Sequence, residues 1–179
     1  MSIESDSDFL ETFPTWLRSL GDDAGAMADA LSAPLPDGAR RALASGLNYV
    51  FKSVDLIPDG IDDIGYLDDA FVLRVACAQV VAAGEGEVPA RVAELGGEAA
   101  AVKAFLGADY ARLDTYVQNL RRTAARGRAV DDILGDEAVR AEFVADVKGF
   151  AREYATPSFS REPKNLIKLR AFFDAKLPR

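Results

Sequence analysis

The chain has 179 residues, 49% of them hydrophobic, with a formal net charge of −8, a single cysteine and no histidine. A chain of this length fits one domain that buries roughly two-thirds of its unfolded surface, and its acidity, with no long Lys/Arg run, argues against nucleic acid as a partner. Lack of histidine removes His-based triads, His-ligated zinc and the usual neutral-pH general base, while Cys77 alone permits no internal disulfide and points to a reducing compartment.

The first residues are acidic and show no basic stretch followed by an apolar run, so no signal peptide is expected and the cytoplasm is the default location. Phe9, Phe13, Trp16, Leu17 and Leu20 share a helical face, and Pro14 is expected to kink or restart that segment. Gly21-Asp22-Asp23 should lead into a second short helix ending near Leu31. The linker around Pro34 and Pro36 suits a helix start. Leu43, Leu47, Val50, Phe51 and Val54 then form the apolar stripe of the next helix.

The following loop, Asp55 to Gly65, is unlike the rest of the chain. Asp55, Asp59, Asp62, Asp63, Asp68 and Asp69 fall within it and the first helical turn beyond it, with no Lys or Arg among them. Leu56, Ile57, Ile61, Ile64 and Leu67 alternate with these acids and should be drawn into the core. Two readings of the carboxylates stay open. In one they are caps: Asp55 holds the turn Leu56-Ile57-Pro58, and Asp68 and Asp69 sit in a first helical turn, where negative charge is favoured. In the other some of the six converge on a hard divalent cation, Mg²⁺, Ca²⁺ or Mn²⁺, which supplies the missing counter-charge. The spacing is not that of an EF-hand. Counting from Asp55, Ile57 falls at the third loop position and Tyr66 at the twelfth, where a bidentate Glu is required.

The same stretch carries Tyr49-Val50-Phe51, then Ser53-Val54-Asp55-Leu56-Ile57-Pro58-Asp59, then Gly65-Tyr66-Leu67-Asp68-Asp69. In these motifs and their spacing the chain resembles the YkvA-type bacterial domain of unknown function, over residues of about 45–83. It departs from that pattern at Lys52, Val54 and Asp62. The resemblance implies a helical hairpin and no established activity, and it permits association with a membrane surface.

From about Leu67 to Ala83 the sequence is apolar nearly all round, with only Arg74 and Gln79 polar in the body of the helix, as expected for the centre of a bundle. Its length, about 25 Å at helical rise, falls short of a ~30 Å bilayer core. Cys77 reads as a small buried hydrophobe. A short helix around Ala90 to Leu95 is expected to end at Gly96-Gly97, with both this pair and Gly84 and Gly86 read as C-caps. A long amphipathic stretch follows through Val102, Leu106, Tyr110, Leu113, Val117 and Leu120, which Gly107 can divide. Arg121, Arg122, Arg126 and Arg128 read as a solvated end to it. Val139, Phe143, Val147, Phe150 and Tyr154 mark another helix. Beyond the linker 156–163 lies a basic helix with Leu166, Leu169, Phe172 and Phe173 on one face. No strand is expected.

The expected architecture is therefore all-α, a single helical bundle of six to nine helices centred on the buried hairpin 43–83. Residues 1–155 form the bundle, and 156–179 are a linker and basic helix that docks on the acidic N-terminal face or extends as an arm. The leading functional expectation is a non-enzymatic interaction or scaffolding protein. Its partner is another protein or a second copy, met through the basic helix, with no cofactor and no catalytic residue assigned. Beside it stand a divalent-metal-binding protein using loop 55–69, extending to a metal-dependent hydrolase, and a peripheral membrane protein using the apolar hairpin.

Overall fold

The computed structural model describes residues 5–52, 55–84 and 86–179; Ser53 and Val54 of the motif lie outside the described residues. Among those described are eight α-helices, a short 3-10 turn and one two-stranded ribbon, so the protein is an all-α bundle.

Helix α1, Asp6–Ala30, opens on a capping box in which Ser5 Oγ accepts the Asp8 N–H at 3.2 Å and Asp8 Oδ2 accepts the Ser5 N–H at 3.1 Å. It runs unbroken through both expected interruptions. Pro14 costs the helix about 3 kcal/mol. Phe9, Phe13, Leu17 and Leu20 flank it fully buried, each worth roughly 1.5–3 kcal/mol, and the Phe13 ring packs edge-on against Phe71 and Phe105 at 5.2 and 5.1 Å. Burial outweighs the proline. Gly21 is not a break but a contact: a Cβ there would lie 3.1 Å from the Ala151 carbonyl oxygen, so a side chain would force α1 away from the helix that carries Ala151.

Helix α2, Asp37–Tyr49, and helix α3, Leu67–Ala82, form the central hairpin, and α4, Ala90–Leu106, covers the other side of α3. The close approach on both flanks depends on glycine. A Cβ at Gly46 of α2 would meet the Ala76 Cβ at 2.7 Å, and one at Gly96 of α4 would meet the Cys77 carbonyl oxygen at 3.0 Å. Gly96 and Gly97 therefore lie inside a single helix and do not end one. Chain reversal comes later, at Gly107, whose φ of 57° divides α4 from α5, Asp109–Asn119.

A ribbon, Ala124–Ala125 paired with Arg128–Ala129, follows the 3-10 turn Leu120–Arg122, and leads to α6, Val130–Gly135, and α7, Glu137–Glu153. The ribbon was not legible in the sequence because it is only one turn deep, with Arg126 and Gly127 both at positive φ. Helix α8, Pro163–Lys176, turns Leu166, Leu169 and Phe173 into the core, where Phe173 stacks on Phe71 at 5.1 Å. Arg170 reaches Asp6 at 3.3 Å, and Arg112 donates to the carbonyl oxygens of Asp174, Leu177 and Pro178. No helix among the described residues is long and apolar enough to cross a membrane.

Candidate metal centre at the α2–α3 corner

Helix α3 needs the loop before it to bury its aliphatic residues and to deliver a helix start at one fixed place. Leu56, Ile57, Ile64 and Leu67 are buried, while Ile61 is only partly so. Two backbone donors on this loop are met from outside it. The Tyr49 hydroxyl, at the end of α2, accepts the Leu56 N–H at 2.7 Å and donates to Asp68 Oδ2 at 2.6 Å; the same oxygen accepts the Ile57 N–H at 3.2 Å. The turn expected to be capped by Asp55 is thus held by Tyr49 and Asp68. Asp55 Oδ1 is buried with no hydrogen-bond partner.

The chain enters α3 through two left-handed residues, Asp63 at φ 70° and Tyr66 at φ 66°. Between them Gly65 lies so close to the loop backbone that a Cβ there would sit 2.3 Å from the Asp59 carbonyl oxygen. This contact fixes Asp59 over the first turn of α3. Carboxylate oxygens of Asp59, Asp68 and Asp69 consequently lie within 4.8 Å of one another.

The structure sorts the six aspartates. Asp59, Asp68 and Asp69 come together, with Asp55 close enough to raise the proton affinity of Asp69. Asp63 turns away to accept the Ser160 N–H at 2.9 Å from the linker before α8, and Asp62 is exposed. Within the trio Asp59 stands at the exposed rim, whereas Asp68 and Asp69 are 0% and 2% exposed.

No ion pair reaches Asp55, Asp59, Asp68 or Asp69 among the described residues. Asp68 Oδ1 and Asp69 Oδ2 are buried and accept no hydrogen bond. A buried carboxylate so placed favours its protonated form. Burial and the neighbouring Asp68, Asp59 and Asp55 push Asp69 well above the ordinary carboxylate range. Burial raises Asp68 to about 6 against the pull of its bonds from Tyr49 and Ile57. Asp55 rises to about 7, through burial and then the charges of Asp68 and Asp59, with Lys52 opposing. Partial burial also raises Asp59.

Three carboxylates carry hard oxygen donors suited to Mg²⁺ or Ca²⁺. Three carboxylate oxygens gathered within 4.8 Å of one another are close enough to share one such ion. Asp59 also lines a cleft of about 440 Å³ whose walls include Val50, Tyr66, Arg126, Phe150 and Arg152.

Sequence reasoning overlooked Tyr49 as a site residue. Its signal was a tyrosine closing an apolar helix one loop ahead of paired aspartates. Cys77, by contrast, behaves as read: it is fully buried, and desolvation pushes its thiol up to about 12.

The corner thus belongs to an all-α bundle whose two central helices are joined by an acidic loop. The family described as a protein of unknown function (DUF1232) matches residues 39–74, which cover most of α2, the loop and the first half of α3. No curated protein and no solved structure matches the chain.

Proposed function

We propose that the protein is a divalent-cation-binding helical protein, with Asp59, Asp68 and Asp69 as ligands and Asp55 as the adjoining acid, built on a hairpin of the YkvA type. What supports this reading is one observation: Asp68 Oδ1 and Asp69 Oδ2 are buried without a hydrogen-bond partner among the described residues, on two residues that each bring a carboxylate oxygen within 4.8 Å of one from Asp59. Leaving such groups unanswered costs about 1–3 kcal/mol each, and more when charged. A cation answers them together and ties the loop at Asp59 to the start of α3. Ca²⁺, Mg²⁺ and Mn²⁺ are the hard, oxygen-preferring candidates.

Thermal unfolding with and without millimolar Ca²⁺, Mg²⁺ or Mn²⁺ tests the reading, together with calorimetric titration of the same ions. Binding to the folded state alone raises Tm. The rise should vanish in Asp59→Asn and Asp69→Asn, both close in shape to the native residue. If none of the three ions moves Tm or releases heat, the corner binds no cation.

A further inference from the structure

The cleft beside Asp59 has the wrong charges to be an idle surface groove. It lies between the end of α2 (Val50, Phe51), the acidic loop (Asp59, Tyr66), the tip of the ribbon (Arg126) and α7 from Ala145 to Glu153, and encloses about 440 Å³. Arg126 sits at positive φ, 51°, with its guanidinium 4.5 Å over the Phe51 ring. Neither it nor Arg152 forms an ion pair among the described residues, although both face a cleft that also holds acids. Asp146 is already answered by Arg128 at 2.8 Å. The Tyr66 hydroxyl accepts and donates no hydrogen bond among the described residues and is a further donor on the same wall.

Without a cation, Arg126 and Arg152 are balanced by Asp59 and Glu153 on the cleft wall, and an anion gains nothing by entering. A divalent ion at the aspartate trio offsets most of that negative charge. It would also present open coordination positions on the Asp59 side, because three monodentate carboxylates do not complete a shell of six or more oxygens. Two forked guanidiniums and a cation around one space are complementary to a doubly charged, tetrahedral oxyanion. The volume exceeds what a phosphate group alone fills, and Val50 and Phe150 supply apolar wall for an organic part.

We infer that the cleft binds a phosphomonoester, its phosphate bridging the cation at Asp59, Asp68 and Asp69 to Arg126 and Arg152. This rests on the cation reading above. Phenyl phosphate is the probe, titrated calorimetrically into Ca²⁺-loaded and metal-free protein, and into the double variant Arg126→Gln/Arg152→Gln. The Ca²⁺-induced rise in Tm, in which neither arginine takes part, checks that the variant is folded. Expected is binding to the loaded protein, weaker by roughly tenfold or more both without Ca²⁺ and in the double variant, a difference of about 1.4 kcal/mol or more. Ca²⁺ binding with no phenyl phosphate binding, or equal binding by the double variant or the metal-free protein, overturns the bridge and leaves the cation site standing. Absence of Ca²⁺ binding removes both.

Discussion

Two sets of buried charges touch α3, and they are built in opposite ways. Near the middle of the helix, Arg74 is fully buried and answered on every side. Its guanidinium donates to Glu98 at 2.7 Å, to Asp23 at 3.3 Å and to the Ala70 carbonyl at 3.1 Å, and it lies 4.2 Å over the Trp16 ring. Asp23, equally buried, takes Arg91 at 2.6 Å on its other oxygen and the Ser19 hydroxyl at 2.7 Å. At the start of the same helix, Asp68 and Asp69 are as deeply buried, with no ion pair and two unpartnered oxygens among the described residues. Burial alone therefore does not distinguish architecture from a binding site. The two sets differ in their donors and acceptors: the first is complete within the chain, whereas the second leaves Asp68 Oδ1 and Asp69 Oδ2 without a partner among the described residues.

The sharpest way to break this contrast is Arg74→Met. Removing one partner from a buried network leaves Asp23 and Glu98 partly unanswered and should cost about 3–5 kcal/mol in urea unfolding, with Ca²⁺ restoring none of the loss in the variant. A cost below about 1 kcal/mol would mean the network is not what holds these charges, and the comparison would fail on its stronger side. Next in size is Gly65→Ala. The added methyl collides with the Asp59 backbone, so it should destabilise by about 1–3 kcal/mol and weaken Ca²⁺ binding as Asp59 is displaced. Loss of stability with Ca²⁺ affinity unchanged would show that Asp59 is not a ligand.

Much of this was legible in the residues and some was not, for physical reasons. The two central helices, the burial of α3 and the oddness of the acidic loop followed from periodicity and from acids without counter-ions, while their pairing as a hairpin was what the resemblance of the motifs implied. The continuity of α1 through Pro14 and of α4 through Gly96-Gly97 did not. Local rules price a proline or a glycine by what the backbone loses, whereas here Phe13 packs on Phe71 and Phe105, and Gly96 lets α4 press against the Cys77 carbonyl. The six aspartates looked alike in sequence. Only the left-handed turns at Asp63 and Tyr66 and the Gly65 contact send Asp63 to Ser160 and Asp59 to the helix start. Arg74 was visible as a lone charge in an apolar helix, but its partner Asp23 lies on another helix, 51 positions away.

A middle-sized effect separates charge from shape at the corner. In the folded, metal-free protein Asp55 and Asp68 titrate near 7 and near 6, above the 3.8 of the unfolded chain, so the folded state holds protons that the unfolded chain releases. Stability must then fall as pH rises from about 4 to about 7, and Ca²⁺ should flatten that slope by favouring the ionised forms. Asp69→Asn should act in the same direction, gaining on the order of 1 kcal/mol without metal near pH 8, because a neutral amide is cheaper to bury than a carboxylate. Tm measured across this range, with and without Ca²⁺, checks both; a metal-free Tm that climbs with pH would contradict them.

The smallest expected change carries the finest distinction. Asp59 and Asp62 are both exposed, three residues apart on one loop, and each removes one negative charge when changed to Asn. On stability the two variants should be alike, within about 0.5 kcal/mol of the native protein. If the acidic loop attracted cations only through its general charge, both would weaken Ca²⁺ binding equally and modestly. A coordinated ion requires Asp59→Asn to lose most of the affinity while Asp62→Asn keeps it, since only Asp59 brings an oxygen within 4.8 Å of Asp68 and Asp69. Calorimetry on this matched pair separates a site from a charged surface without disturbing the fold.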